Sequence, residues 1–123
     1  MLNSYFVEIR TGTNYGPDTY DAAAGRLMHM CVSILGDEAA IRSLTHDAER
    51  EHCHSEVEVG IEPSADGGHE LVAKSVVDIV APGPVKLDKS KLTKLLKASP
   101  ESDEWKNFKV YKKNVPQMPE NRT

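Results

Sequence analysis

Apolar and polar residues alternate along several short stretches of this chain, which is the pattern of a β-strand with one buried face. Residues 4–10 place Tyr5, Val7 and Ile9 on one face. Residues 56–62 repeat the pattern more cleanly, because three apolar side chains alternate with glutamate or glycine. We therefore predict a strand over each stretch, with one side exposed to water.

Residues 71–80 are more ambiguous, because apolar side chains fall on both faces of an extended chain there. The side chains predicted to point inward are Leu71, Ala73, Val77 and Ile79. Val72, Val76 and Val80 then share the other face, so a helix remains the alternative for this stretch. The preceding turn contains Gly67 and Gly68, which accept positive φ and favour a hairpin with the strand before it. Residues 107–113 alternate again and predict a short final strand.

Helical spacing of apolar residues occurs in three further stretches. Asp18 can cap a helix whose apolar stripe runs to Leu35 and ends at Gly36. Asp37 can cap a second, short helix. Asp88 can cap a third, in which three leucines form a narrow apolar stripe.

The predicted order is therefore strand, helix with a short extra helix, strand, strand, helix, strand. This βαββαβ order is typical of an α+β, ferredoxin-like sandwich, in which a four-stranded antiparallel sheet carries its helices on one face. We predict a single domain over residues 1–113 and a flexible C-terminal tail over residues 114–123, where two prolines occur and large apolar side chains are almost absent. The fold alone fixes no function.

Composition places the chain among ordinary globular proteins, with 123 residues, 39% hydrophobic and 28% charged. The sequence has neither a basic leader followed by a long apolar run nor a stretch long enough to span a membrane. We therefore expect a protein of the cytoplasm, or of a host cytoplasm, with no membrane partner. The cysteines Cys31 and Cys53 are expected to be reduced in such a compartment.

Charge is strongly segregated along the chain. Residues 1–85 contain five basic and fourteen acidic side chains, whereas residues 86–113 contain nine lysines and four acids. A segregated surface of this kind suits electrostatic docking to a partner. The predicted partner-binding residues are Lys89, Lys91, Lys94, Lys97, Lys109, Glu56, Glu58 and Glu62.

Three histidines and a cysteine lie between residues 46 and 54, and they raise the question of a metal site. Zinc requires three or four converging ligands. His52 and His54 share a face if the chain is extended, but His46 and Cys53 converge with them only with difficulty. We therefore predict no metal, and keep a site formed by His46, His52 and His54 as the weaker alternative.

Other catalytic chemistry finds little support in the sequence. Cys53 has histidines on both sides, but neighbouring residues of a strand point to opposite faces, so neither is well positioned as its base. The glycine-containing loop at residues 11–18 ends in Pro17-Asp18, which puts a carboxylate where a phosphate-binding loop needs a hydroxyl and a lysine. We expect a protein without catalytic activity and predict no cofactor.

The sequence thus favours a small interaction protein that occludes or regulates a macromolecular partner, of the inhibitor, immunity or adaptor type, including proteins encoded by mobile elements. A protein partner is expected. One alternative is a nucleic-acid-binding protein that uses the lysine-rich segment 86–113, and another is a metal-dependent enzyme that uses the histidines. We also expect a homodimer with Val72 and Val76 in or near the interface, because a four-stranded sheet with one uncovered face exposes apolar side chains.

Overall fold

The computed structural model describes residues 2–12, 20–44, 52–65, 67–105 and 108–115. They form an α+β unit with a four-stranded antiparallel sheet. The strands are β1 (Leu2–Arg10), β2 (His52–Pro63), β3 (His69–Val80) and β4 (Lys109–Asn114). The helices are α1 (Tyr20–Leu35), α2 (Glu38–Ser43) and α3 (Lys89–Ala98), followed by a 3-10 helix over Pro100–Trp105.

The order of elements agrees with the sequence prediction, and residues 71–80 are a strand rather than a helix. The 3-10 helix was not predicted; it inserts Trp105 into the core, where its side chain is 1% exposed. β4 extends to Asn114, and the backbone N–H of Val115 donates to the carbonyl of Ser4 at 2.9 Å. The predicted boundary between domain and tail therefore falls within the end of this strand, and residues 116–123 lie outside the described residues.

The sheet has the strand order β2-β3-β1-β4, and every neighbouring pair is antiparallel. β2 and β3 form the predicted hairpin, with Glu62 opposite Glu70 near its turn. Gly67 has a φ of +95° in that turn, a conformation that side chains other than glycine rarely adopt. The central strands are thus β3 and β1, while β2 and β4 form the two edges.

The two faces of the sheet differ in what covers them. One face, called the inner face below, carries Tyr5, Val7 and Ile9 of β1, which are buried in one cluster with residues from α1, α2 and α3. The opposite face, called the outer face, exposes Phe6 and Tyr111 by 47% each. The strict alternation of the strands therefore separates a core-forming side from a solvent-facing side.

The two longer helices pack on the inner face through the stripes expected from their spacing. α1 buries six side chains: Ala23, Leu27, Met30, Cys31, Ile34 and Leu35. α3 buries Leu92 and Leu96, and its predicted cap is present, because the Asp88 carboxylate accepts a hydrogen bond from the Lys91 backbone N–H at 3.1 Å. The predicted Asp18 cap of α1 lies outside the described residues.

Candidate functional site

Four lysines cover the solvent side of α3, and we call them the α3 lysine face: Lys89, Lys91, Lys94 and Lys97. At about 100° per residue, they span an arc of about 200° around the helix, while the leucines occupy the arc that faces the sheet. All four are exposed, and none forms an ion pair with an acidic residue in the part of the chain that the structure describes. The helix therefore presents concentrated positive charge that no acidic side chain among the described residues pairs with.

The remaining predicted lysine, Lys109, lies on a different side of the molecule. It is exposed on the outer face of β4, opposite Arg10 in the register, whereas the next residue, Val110, is buried in the core. Because α3 packs on the inner face, the sheet separates Lys109 from the α3 lysine face. The lysine-rich segment is thus two surfaces rather than one.

Lys112 serves a structural purpose instead. Its ammonium group donates to the carbonyl of Leu87 at 2.9 Å and lies 5.2 Å from the centre of the Tyr5 ring. Both contacts are on the inner side of the sheet, and they connect β4 to the residue that precedes the α3 cap. Lys112 therefore interacts within its own chain; among the lysines of α3, Lys97 has one such contact, with its ammonium group 5.9 Å from the centre of the Phe108 ring.

The three predicted glutamates of β2 share the outer face but differ in their surroundings. Glu56 and Glu58 are exposed at the edge of the sheet. Glu62 is partly buried and forms two ion pairs, at 3.0 Å with the Arg10 Nη2 atom and at 2.7 Å with the Lys74 ammonium group. Only Glu56 and Glu58 therefore form an acidic edge that a partner could reach directly.

Arg10 is the centre of an ion-pair network on the outer face. Its Nε atom lies 2.7 Å from Glu8, its Nη1 atom 2.9 Å from the buried Glu70 and its Nη2 atom 3.0 Å from Glu62. The hydrogen bond to Glu8, together with the one to Glu70, raises the pKa of the Arg10 guanidinium above its ordinary value. Glu70 also accepts from the Gly12 backbone N–H at 2.9 Å. The network therefore joins three strands and the start of the loop after β1.

The same network changes the pKa of the Glu62 carboxyl group. The hydrogen bond from Lys74, with help from Arg10, lowers the pKa of Glu62 below its ordinary value. A general acid at neutral pH needs the opposite shift. Glu62 thus acts as an ion-pair partner that joins β2 to β1 and β3.

The Arg10 network also explains why Val72 is buried although it lies on the outer face. Val72 lies on the outer face but is only 1% exposed. Its neighbours in the register are Gly60, which has no side chain, and Arg10. The ion pair between Glu62 and Lys74 crosses this position diagonally, so the charged side chains cover the valine. Val72 therefore contributes no exposed apolar surface, whereas Val76 remains 37% exposed.

The histidine cluster cannot be assembled from the described residues. The backbone of His52 and His54 belongs to β2, where they pair with Val80 and Asp78, but their side chains, that of Cys53 and all of His46 lie outside the described part. Among the side chains that are described, no group of three or more potential ligands could hold a metal ion. The metal site at residues 46–54 stays a prediction.

Cys31 is an inert thiol. It forms no disulfide, its side chain is 0% exposed, and burial raises its pKa to about 12. A nucleophilic cysteine requires a lowered pKa and access to substrate. Cys31 is thus a core residue of α1, as its helical spacing predicted.

Known protein families and curated protein sequences were both compared with the chain, and neither comparison yields a match. None of the helices in the described ranges is both long enough and apolar enough to cross a membrane.

Sequence reasoning missed the Arg10 network. One signal was present, since Glu8 and Arg10 are two residues apart on a strand and therefore share a face. The other partners are 52 and 60 residues away in sequence, so only the pairing of the strands brings them together.

Proposed function

We propose that this chain is a non-enzymatic interaction protein that docks onto an acidic surface of a partner protein through the α3 lysine face. The observation that carries the proposal is the set of four exposed lysines without an acidic partner among the described residues. Positive charge concentrated on one helix raises the association rate with an acidic surface and makes binding sensitive to salt. The inhibitor, immunity or adaptor role remains the class of activity that we infer for it.

We infer that the underlying architecture is the ferredoxin-like sandwich. The strand order β2-β3-β1-β4 supports this, because the helix that connects β1 to β2 spans the intervening β3. The free thiol of Cys31 is compatible with a reducing compartment such as the cytoplasm. Neither inference changes the docking surface, which depends only on α3.

An acidic protein surface is favoured over a nucleic acid for two reasons. The positive surface consists of lysines, whereas arginine is the usual choice for bidentate contacts with phosphates or bases. In addition, α3 is only 10 residues long, and Lys109 lies on the other side of the sheet, so these described lysines form no continuous basic track along a phosphate backbone.

The test compares two defined probes, a polyglutamate peptide and a random-sequence DNA duplex, by fluorescence anisotropy at low and physiological salt. We expect salt-sensitive binding of polyglutamate that the triple variant Lys91→Glu/Lys94→Glu/Lys97→Glu loses. The control Lys109→Glu changes charge on the outer face and should retain binding. Stronger binding to the duplex would favour the nucleic-acid alternative, and equal binding by the triple variant would exclude α3 as the dock.

A further inference from the structure

One part of the outer face, away from the Arg10 network, has charged edges and an apolar middle. Strand pairing aligns one residue from each strand into a row that crosses the sheet. One such row runs from edge to edge through Glu56, Val76, Phe6 and Lys113. Its ends carry opposite charges, and its two central side chains are 37% and 47% exposed. If a second copy of this row is turned end for end and laid on the first, opposite charges meet at the ends and apolar side chains meet in the middle.

We propose that a second copy of this chain covers the outer face, related to the first by a two-fold axis that runs parallel to the strands between β1 and β3. This axis reverses each row. Phe6 of one protomer then lies over the partner subunit's Val76, and Glu56 lies over the partner subunit's Lys113. Each of these contacts occurs twice, as in any isologous dimer.

One adjacent row and the row at the start of β1 fit the same axis. The adjacent row consists of Glu58, Lys74, Glu8 and Tyr111. Reversal brings Lys74 over the partner subunit's Glu8, which is again a pair of opposite charges. Near the start of β1, Leu2 is 45% exposed and pairs with Val80, so reversal brings Leu2 over the partner subunit's Val80.

The alternative two-fold axis, perpendicular to the strands, is disfavoured by charge. It would bring each edge of the sheet onto the same edge of the other copy. The acidic edge with Glu56 and Glu58 would face itself, and so would the basic edge with Lys109 and Lys113. Like charges in direct opposition across an interface weaken it, so the distribution of charge selects the axis parallel to the strands.

The dimensions of the face fit a dimer of moderate affinity. Four strands spaced about 4.8 Å apart, with nine residues in β1, give a footprint of about 600 Å² for each copy. This is at the small end of specific interfaces. Packed sheets are rotated by about 30°, which displaces the ends of the Glu56–Lys113 row, about 7 Å from the axis, by about 4 Å and leaves these long side chains within reach. We therefore expect dimerisation at micromolar concentrations.

This assembly is independent of the proposed docking surface. The α3 lysine face lies on the other side of the sheet, so a dimer formed through the outer face presents two such lysine faces to solvent. The two proposals can therefore fail separately.

The test is sedimentation equilibrium of the full chain and of charge variants across the micromolar range at physiological salt. The wild type should approach twice its chain mass of 13.6 kDa. Lys113→Glu and Glu56→Lys should each weaken dimerisation by about tenfold, because each puts like charges opposite one another twice. The double variant should restore most of the affinity, since it only exchanges the two signs. Lys91→Glu is the matched control, because it makes the same charge change on α3 and should leave dimerisation unchanged.

Three outcomes would overturn the proposal. One is a mass of 13.6 kDa for the wild type at every concentration. Another is a dimer that tolerates both single variants, which would put the interface elsewhere. The third is a double variant that remains as weak as the single variants, which would exclude the two-fold axis parallel to the strands. Fluorescence of the buried Trp105 reports whether each variant is folded.

Discussion

The side chain of Asn3 holds the backbone N–H of Val85 through a hydrogen bond of 3.0 Å, although 82 residues separate them in sequence. The same amide donates to the carbonyls of Ile79 and Gly83 at 3.3 and 3.2 Å. Asn3 therefore fixes the turn after β3, which leads into the Asp88 cap of α3. The position of the α3 lysine face depends on this side chain at the start of β1.

Asn3→Ala should destabilise the protein by about 2 kcal/mol or more, because it removes these hydrogen bonds and leaves the buried N–H of Val85 without a partner. Urea unfolding measures the change. Asn114→Ala is the matched control, since Asn114 is exposed at the end of β4 and should shift stability by no more than about 0.5 kcal/mol. Equal effects of the two substitutions would contradict the tethering role of Asn3.

Two serines on the inner face should respond to alanine in opposite directions. Ser75 is buried, and its hydroxyl group has no hydrogen-bond partner among the described residues. Ser55 donates to the carbonyl of Leu35 at 2.6 Å. Ser75→Ala removes an unsatisfied polar group and should stabilise the protein by about 1 kcal/mol, whereas Ser55→Ala should destabilise it by about as much. Thermal and urea unfolding test this, and a loss of stability in Ser75→Ala would show that its hydroxyl is satisfied.

The ion pairs of Glu62 should make stability depend on pH. Because the folded pKa of Glu62 is lowered, its contribution is complete above its unfolded pKa of about 4.3 and is lost as pH falls through the folded value. Wild type should therefore exceed Glu62→Gln in unfolding free energy at neutral pH, and the difference should shrink below about pH 4. Glu58→Gln, on the same strand and face, should differ little from wild type at neutral pH. A wild-type advantage over Glu62→Gln that is constant from pH 7 to pH 3 would contradict the assignment.

How far the sequence predicts this structure depends on the range of the interactions involved. The alternation in β1 and β2 and the apolar stripe of α3 are local patterns. These strands and the α3 lysine face could therefore be predicted directly from the sequence. Val72 could not be understood in this way, because the ion pair that covers it joins Lys74 to Glu62 across two strands. Its burial also reduces the apolar surface that first suggested a homodimer.

The sequence prediction grouped Lys109 with the lysines of α3, although the sheet separates them. The sequence places them in one basic segment, but the predicted alternation of the final strand already put Lys109 and Val110 on opposite faces. The local sequence pattern does not determine the side of the sheet on which a helix packs. The tertiary structure is therefore needed to decide which face α3 covers. The two charged surfaces therefore become distinct only after the sheet is assembled.

Purified protein prepared without chelators should contain well below one zinc per chain by elemental analysis. His52 and His54 enter β2 two residues apart, and a pair of ligands is too few for a structural zinc site. His52→Ala and Cys53→Ala, made singly, should each leave the melting temperature within a few degrees of wild type. Stoichiometric zinc, together with unfolding in the His52→Ala variant, would reverse this prediction, since metal binding in a small domain is coupled to folding.

Cys31 should react with thiol reagents only after unfolding. In a Cys53→Ser background it is the sole cysteine, and its side chain is fully buried with a pKa raised to about 12. At pH 8 the folded protein then holds about one thiolate in ten thousand, against a substantial fraction for an unfolded cysteine with a pKa near 8.5. Labelling with an aromatic disulfide reagent should be at least about a hundredfold slower in buffer than in concentrated urea.

The raised pKa of Cys31 also determines how the stability of the protein changes at alkaline pH. Because the folded pKa lies above the unfolded one, the stability that the neutral thiol contributes is complete below about pH 8.5 and is lost as pH rises toward 12. Wild type should therefore lose its advantage over Cys31→Ala in unfolding free energy over that range. Rapid labelling of the native protein at pH 8 would contradict both expectations, because it would require a thiol that reaches solvent without unfolding of α1.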